Sequence, residues 1–298
     1  MQKLLFVLFF ISASLFGVEN YKVFIKQFHT DTGQLFLTLR QFNRDAKTFY
    51  LVLNTATLQT SIESLEAQQL EPLNDTQMRQ SHFGKLLYKA TSFAKFGGIR
   101  EATQPSSGAI FLTMDMCPSQ KNGYEKEFLT QLTQHVGKAP IAIAMSSAWL
   151  RTHEKEFAEL ASNPLLDITW INHTHTHFYD KNLPNEENFM RHAGTNVQEE
   201  ILGLEQILIE KGATPSVFFR FPGLIANASL MKALRDTYLL IPISTHAWVA
   251  KGEAIQKGSI ILVHGNKNEH QGIVALEQKL PTLMSKFAFK PLREAFVK

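Results

Sequence analysis

From residue 109 onward, short apolar segments alternate with longer amphipathic ones, and this alternation constrains the fold more than any other feature of the chain. The apolar segments have the length of buried strands and lie at residues 109–114, 140–145, 168–172, 217–221, 238–243 and 259–263. The intervening helical patterns lie at residues 124–136, 152–160, 195–211, 228–236 and 272–287. Repeated strand and helix units predict an α/β fold with a parallel sheet and helices outside it, either an open sheet or a barrel.

The first hundred residues follow a different pattern. Three β-like runs between residues 21 and 54 are separated by turn signals at 31–33 and 43–45, which predicts a small meander. Helices are predicted at 58–70 and 74–95 from their polar and apolar spacing. No catalytic constellation is found here, so this part is expected to serve packing or to bind a partner.

A linker rich in Pro, Ser and Gly at residues 104–108 marks the change between the two patterns. We therefore expect a small N-terminal α+β subdomain at 19–107, a larger domain at 108–288 and a C-terminal tail at 289–298. A chain of 298 residues is long enough for this division.

Composition excludes two classes of protein. Apolar residues make up 44% of the chain and charged residues 19%, which is typical of a globular protein and not of a disordered one. The net charge of +3 comes from 30 basic and 27 acidic residues without a basic block. The electrostatic footprint of a nucleic-acid-binding protein is therefore missing.

The segment at 1–18 has the features of a secretory signal peptide, with Lys3 followed by an apolar run of about a dozen residues. That run is shorter than the roughly 20 residues that span a bilayer. Cys117 is the only cysteine, so no internal disulfide can form and no cysteine near the signal can take a lipid. We expect export to a bacterial periplasm or cell surface, with no stable membrane anchor after cleavage.

Three histidines, His173, His175 and His177, occupy alternate positions after one of the predicted strands. His173 and His177 share a face whether the segment is a strand or a helix. Zinc binds neutral imidazole nitrogens at about 2.0–2.1 Å, usually with a carboxylate and an open position for water. The spacing therefore indicates a divalent metal site, with zinc as the expected ion.

The remaining polar candidates also follow predicted strands. They are Asp115, Arg220, His246, Trp248 and His264. In parallel α/β folds the reactive groups gather at the carboxyl ends of the strands. We therefore expect these residues and the histidines to meet on one rim.

In this order, four motifs resemble those of the polysaccharide deacetylase (NodB homology) family of carbohydrate esterases. The residues that carry the resemblance are Leu-Thr-Met-Asp-Met-Cys-Pro at 112–118, Asn-His-Thr-His-Thr-His at 172–177, Phe-Arg-Phe-Pro-Gly at 219–223 and Ile-Leu-Val-His at 261–264. The resemblance covers residues 108–287 and implies a deformed (β/α) barrel. It also implies removal of N- or O-acetyl groups from glycans at an Asp-His-His metal site.

Carried over by position, the resemblance makes His173 and His177 metal ligands and Asp115 the catalytic base. Arg220 would orient that base, and His264 would be the general acid. The chain departs from the family at Met116, which stands where the family has its metal-binding aspartate. A thioether is a poor ligand for a hard or borderline cation.

Several arrangements could complete the site. Asp115 could itself be the oxygen ligand, alongside His173 and His177. Alternatively, the Cys117 thiolate could be the ligand, because it shares a face with Asp115 in an extended segment, and Asp115 would then be the base. The site could also bind glycan without turnover, or Cys117 could act as a nucleophile beside a histidine.

The segment before the last motif keeps a tryptophan of the family, Trp248, but has no aspartate to tune His264. Further candidates for substrate or supporting contacts are Cys117, His175, Pro222, His246 and Trp248. The sequence thus predicts an exported, zinc-dependent hydrolase that deacetylates an N-acetylated polysaccharide, with peptidoglycan as the expected substrate. The rival hypothesis is an inactive envelope protein that binds glycan or a protein partner through the same cleft.

Overall fold

The chain folds into an antiparallel N-terminal sheet followed by a parallel sheet, in a computed structural model that describes residues 17–103 and 108–297. All but the last two residues of the predicted signal peptide lie outside the described residues. Among the helices described, none is both long enough and apolar enough to cross a bilayer.

The N-terminal sheet is built from five antiparallel strands. They are β1 (Glu19–His29), β2 (Leu35–Arg44), β3 (Lys47–Asn54), β4 (Thr60–Glu63) and β5 (Glu71–Pro72). Their order in the sheet is β4-β3-β2-β1-β5. Alternate apolar side chains of β2 and β3 face a core, where Leu37, Leu39 and Leu53 are fully buried. The predicted meander is confirmed.

The helix predicted at residues 58–70 is wrong. Instead, β4 pairs with β3, and a tight turn leads into it. In this turn Leu58 has a left-handed φ of 62° and donates its backbone N–H to the carbonyl of Asn54. The free edge of β3 offers backbone partners to this segment, so pairing across the sheet outweighs the local helical pattern.

The helical pattern at 74–95 forms two helices, α1 (Asp75–Gln80) and α2 (His82–Ala90). Ser81 separates them, because its extended backbone ends α1 while its hydroxyl accepts from the backbone N–H of Gly84 and caps α2. Both helices contribute side chains to the core beneath the sheet, including Met78 and Phe83.

The larger part of the chain forms a parallel sheet that curves into a deformed (β/α) barrel, as predicted. Its strands are β6 (Ala109–Met116), β7 (Ala139–Met145), β8 (Leu166–Asn172), β9 (Pro215–Phe219), β10 (Ile241–Pro242), β11 (Ala247–Trp248), β12 (Ile260–His264) and β13 (Ala288–Phe289). Their order is β10-β9-β8-β7-β6-β12-β11, and β13 pairs with β6. The helices are α3 (Lys126–Val136), α4 (Ser147–Thr152), α5 (Glu154–Ser162), α6 (Val197–Glu210), α7 (Ala228–Ala233) and α8 (His270–Lys286). Every residue of β6, β7 and β9 is buried, as parallel strands covered on both faces require.

The barrel is open between its end strands, β10 and β11. A segment of the N-terminal part lies against β10 there. Ile99 donates its N–H to the Pro242 carbonyl at 3.1 Å and accepts from the N–H of Ser244 at 2.7 Å. Gly98, with a φ of 131°, permits this approach, since a Cβ there would lie 2.3 Å from the Pro242 carbonyl oxygen. The segment predicted as 19–107 therefore adds backbone pairing to the barrel.

The two faces of the barrel strands bury different cores. Leu112 of β6 packs outward in the cluster that includes residues of α3, α5 and α8. Phe111, on the opposite face, belongs to the same cluster as Leu39 of the N-terminal sheet. The next residues on that inner face are Thr113 and Asp115. The N-terminal sheet thus fills one end of the lumen with apolar groups, and the polar groups lie at the carboxyl ends of the strands.

The segment predicted as a C-terminal tail also packs in this core. Phe289, its first residue, belongs to β13 and pairs with Ile110 of β6 in parallel. A short helical turn then buries Leu292, Ala295 and Phe296 in the cluster shared with the N-terminal sheet.

A buried ion pair joins the N-terminal sheet to the barrel. Arg40 of β2 contacts Glu205 of α6 through two parallel bonds, Nε to Oε2 at 2.7 Å and Nη2 to Oε1 at 3.0 Å. Both side chains are almost completely inaccessible to solvent. The Tyr21 hydroxyl donates a further bond to Oε2 at 3.0 Å, and the carbonyl of Tyr238 accepts from Arg40 Nη1. This network satisfies both charges, as burial of an ion pair requires.

We expect Arg40→Ala to lower the free energy of unfolding by ~3–5 kcal/mol, because it leaves the Glu205 carboxylate buried and unpaired. The measurement is chemical denaturation followed by circular dichroism. The double variant Arg40→Met/Glu205→Leu removes both charges and should recover most of this loss. Lys126→Ala, which breaks an exposed pair with Glu159, is the control and should leave the midpoint unchanged. Equal effects of Arg40→Ala and Lys126→Ala would contradict the prediction.

Candidate active site

A cavity of about 760 Å³ opens at the carboxyl ends of the barrel strands. Its walls come from β6, β11, β12 and the loops that follow the strands. The lining residues with chemistry to offer are Asp115, Cys117, His173, His177, Trp248, His264 and Glu269. Of the polar candidates expected on one rim, five line this cavity: Asp115, His173, His177, Trp248 and His264.

The segment after β8 turns so that two of its histidines face each other. Thr174 and His177 both have left-handed backbone conformations, with φ of 74° and 50°. The side chain of Asn172 accepts the N–H of Thr174 at 3.0 Å and holds the turn. As a result, the rings of His173 and His177 lie edge to face, with centroids 4.9 Å apart.

The tautomer of His173 follows from its partner. Its Nδ1 lies 2.8 Å from the backbone carbonyl oxygen of Arg220, and a carbonyl can only accept. Nδ1 therefore carries the hydrogen and Nε2 keeps its lone pair. A backbone carbonyl that orients the far ring nitrogen in this way is a common support for a metal-binding histidine.

Cys117 completes a compact group with the two histidines. The thiol sulfur and one ring nitrogen from each of His173 and His177 all lie within 4.8 Å of one another. Cys117 Sγ is 3.4 Å from His173 Nε2. His177 Nε2 is buried and has no hydrogen-bond partner among the described residues. Two imidazoles and a thiolate are a donor set that zinc prefers, so these residues fit a divalent metal ion.

The electrostatics of this group favour the thiolate. Burial raises the pKa of the Cys117 thiol, but His177 and His173 outweigh this effect and hold the pKa well below its usual range. For His173, burial lowers the pKa, and the neighbouring Cys117 and Asp115 raise it above its usual value. Cys117 is therefore present as a thiolate beside two imidazoles, and a thiolate is the form that binds a metal cation.

Asp115 lies next to this group and is held by Arg220. Arg220 Nη1 donates to Asp115 Oδ1 at 2.6 Å, while Asp115 Oδ2 lies 3.8 Å from His173 Nε2. Burial raises the pKa of this carboxyl, but Arg220, His173 and His264 outweigh that effect and hold the pKa below its usual range. The carboxylate is therefore charged. It is not one of the three side chains that converge on a common point.

Met116, at the position of the family's metal-binding aspartate, faces away from the cavity. It is fully buried in the outer core with Met114. A Cβ added at Gly265 would lie 2.7 Å from its sulfur, so the side chain fills the space beside β12. Because side chains alternate along a strand, Asp115 and Cys117 share the inner face and Met116 takes the outer one.

His264 has a carboxylate neighbour that the sequence reasoning missed. Its Nδ1 lies 2.7 Å from Glu269 Oε2, at an angle too bent for a regular hydrogen bond. Burial lowers the pKa of His264, but Cys117, Glu269 and Asp115 raise it to about 10. The signal that could have revealed Glu269 is its place in the loop after the last barrel strand, the same rim that holds the other candidates.

Four predicted candidates lie outside the cavity, and one of them, Arg220, is fully buried against Asp115. His175 points toward α6, where its Nδ1 would be 2.5 Å from a Cβ at Gly203. His246 contacts Ser259 and Gln256 at 3.2 Å each. Pro222 is buried at the start of a short turn whose next residues, Gly223 and Leu224, do line the cavity. By contrast, Trp248 lies in the cavity wall, as expected for a residue grouped with the polar candidates that follow predicted strands.

Solved structures that align with this chain include a carbohydrate esterase and two polysaccharide deacetylases. A family 4 carbohydrate esterase from Bacillus anthracis aligns over 72% of this chain and 90% of its own, with a TM-score of 0.51 and 20% identity. A peptidoglycan N-acetylglucosamine deacetylase aligns over 68% of this chain and 94% of its own, with a TM-score of 0.51 and 17% identity. The chitin deacetylase of the fungal pathogen Colletotrichum lindemuthianum aligns over 66% of this chain and 90% of its own, with a TM-score of 0.50 and 16% identity.

The fold is therefore that of the family 4 carbohydrate esterases, the polysaccharide deacetylase type that the motifs predict. Identities of 16–20% make this a likeness of fold, and the chain is divergent from all three. No protein-family model matches the sequence.

We expect Cys117→Ser to weaken zinc binding by more than the ~10- to 100-fold that loss of an outer contact costs, because it removes a thiolate from the converging group. Asp115→Asn should keep one zinc per chain. Zinc content and affinity are measured by elemental analysis and competition with a chromogenic chelator. His246→Gln, a histidine outside the cavity, is the matched control. Loss of zinc in Asp115→Asn but not in Cys117→Ser would identify the carboxylate as the ligand instead.

Proposed function

We propose that the protein is a metal-dependent deacetylase of an N-acetylated polysaccharide. The observation that carries the proposal is the meeting of Cys117, His173 and His177 beside an Arg220-bound carboxylate in one cavity at the carboxyl ends of the barrel strands. Hydrolysis of an acetamide requires an activated water, stabilisation of the oxyanion and a proton for the leaving amine. The site has a candidate group for each requirement.

His173, His177 and Cys117 are proposed to hold the metal, with zinc as the ion. When bound, it would polarise the acetyl carbonyl and lower the pKa of water. The thiolate of Cys117 takes the place of the carboxylate that Met116 cannot supply. This choice among the alternatives is supported by the 3.4 Å approach of Cys117 Sγ to His173 Nε2 and by the unpartnered Nε2 of His177.

Asp115 is proposed as the general base. Arg220 uses one nitrogen for Asp115 Oδ1 and Thr113 Oγ1, which fixes the carboxylate and leaves Oδ2 on the side of His173. Because its pKa is held below the usual range, Asp115 is unprotonated at neutral pH and can accept a proton from water. A positioned base of this kind contributes about 100- to 10,000-fold in rate.

His264 is proposed as the general acid. It lies in the cavity wall at the end of β12, beside Asp115 at the end of β6 in the parallel register. A pKa of about 10 lies above neutral pH, so the imidazole carries its proton there and can give it to the leaving amine. The base and the acid thus start in the protonation states that their roles require.

The substrate is proposed to be a polymer of N-acetylated sugars. Aromatic side chains line the cavity mouth, and Tyr179 stacks on Phe189 with ring centroids 5.5 Å apart. Such faces suit the apolar face of a pyranose ring. Two of the structural neighbours are described as peptidoglycan N-acetylglucosamine and chitin deacetylases. With the signal peptide expected at 1–18, peptidoglycan in the bacterial envelope is the proposed partner, reached after export to the periplasm or cell surface.

We expect zinc-loaded protein to release acetate from N-acetylglucosamine oligomers or peptidoglycan, and chelation to abolish this release until zinc is restored. Asp115→Asn should keep its zinc but lose about 100- to 10,000-fold in kcat, because the base is gone. His246→Gln, outside the cavity, should match the wild type. Acetate release is measured enzymatically. Binding of these glycans without any release by zinc-loaded wild type would instead support the rival, an inactive glycan-binding envelope protein.

A further inference from the structure

We infer that Glu269 is the positioning residue of His264 and does the work of the aspartate that the segment before β12 lacks. The inference rests on the proposed function, because it assigns a partner to the proposed general acid. It concerns a residue outside all four motifs that resemble the deacetylase family. Glu269 reaches the site from the start of α8, a different part of the chain.

The carboxylate of Glu269 has two neighbours in the cavity wall. Its Oε2 lies 2.7 Å from His264 Nδ1 and accepts a hydrogen bond from Trp248 Nε1 at 2.9 Å. The two rings are neighbours, with centroids 5.7 Å apart and planes tilted by 40°. A single carboxylate oxygen therefore fixes the position of two rings that line the same wall.

Glu269 is also free for this task. It occupies the position before the first turn of α8, where a side chain commonly accepts a backbone N–H of the helix. Glu269 makes no such capping bond. Its side chain is turned toward His264 instead, and it is 30% exposed, so water does not screen it fully.

The contact decides which ring nitrogen serves the substrate. Because Nδ1 lies 2.7 Å from the Glu269 carboxylate, Nε2 is the nitrogen left for the cavity. When the C–N bond of the acetamide breaks, Nε2–H passes its proton to the leaving nitrogen, and that N–H bonding pair stays on Nε2. His264 is then neutral with its hydrogen on Nδ1, the nitrogen that lies beside the negative charge of Glu269. Without the carboxylate, the ring can turn over or carry its hydrogen on the wrong nitrogen.

The test separates this role from a purely structural one by the leaving group. Zinc-loaded Glu269→Gln is compared with wild type on an N-acetylglucosamine oligomer and on a nitrophenyl acetate, whose anionic leaving group needs no proton. We expect kcat on the amide to fall ~10- to 100-fold with KM nearly unchanged, while the ester rate changes less than about threefold. Glu269→Asp should recover part of the amide activity. Equal losses on both substrates, or no loss on the amide, would overturn the inference.

Glu253→Gln is the matched control. Glu253 accepts the backbone N–H of Trp248 at 2.6 Å but has no described contact with His264. The substitution Glu253→Gln should therefore leave the ratio of amide to ester activity unchanged. His264→Gln supplies the reference, since it should show the same selective loss on the amide as Glu269→Gln. A selective loss of amide activity in Glu253→Gln would show that the position of Trp248 causes the effect, and it would overturn the role given to Glu269.

A second measurement does not depend on turnover. Nitrogen-15 NMR of the His264 ring, assigned by comparison with His264→Gln, should show a hydrogen on Nδ1 in zinc-loaded wild type and a changed signal in Glu269→Gln. If neither substrate is turned over, the proposed function fails while this result still decides whether Glu269 positions the ring. An unprotonated Nδ1 in wild type, or an unchanged spectrum in Glu269→Gln, would overturn the inference.

Discussion

The charge of Arg220 is the constraint around which the barrel lumen is organised. Its guanidinium has no exposed surface, so it depends on partners inside the protein. Asp115, Thr113 and the Ser244 carbonyl supply them, from β6 and from the segment after β10. The backbone carbonyl of the same residue holds Nδ1 of His173. Arg220 therefore fixes the Asp115 carboxylate through its guanidinium and His173 through its backbone carbonyl, from the position directly after β9.

The N-terminal sheet contributes to the site without lining it. Its apolar side chains occupy the same cluster as the inward residues of β6, β7 and β9, so the lumen is filled from that end. The polar groups are thereby confined to the opposite end, where the strands finish and the loops leave room for a ligand. Burial of Asp115 and Arg220, and with it their mutual attraction, depends on this filling.

Much of this arrangement follows from local patterns in the sequence. Strand and helix alternation predicts the barrel, and the rule that strand ends carry chemistry brings Asp115, His173, His177 and His264 into one region. The exceptions have physical reasons. The helix expected at 58–70 pairs with the edge of β3, a tertiary contact that no local pattern reports. His175 follows β8, but its side chain packs against Gly203 of α6. His246 lies beside the first residue of β12, at the opposite end of that strand from His264. Glu269 reaches His264 only through the path of the loop before α8.

The outward direction of Met116 has a consequence for any attempt to restore the family motif by substitution. An aspartate in this position would point among the methionines and leucines that seal the sheet against its helices. It would meet no imidazole there and would bring an unsolvated charge into a dry interior. A carboxylate able to reach His173 and His177 would have to stand one residue further along the chain, where Cys117 lies. An aspartate introduced at position 116 alone therefore would not reach the cavity.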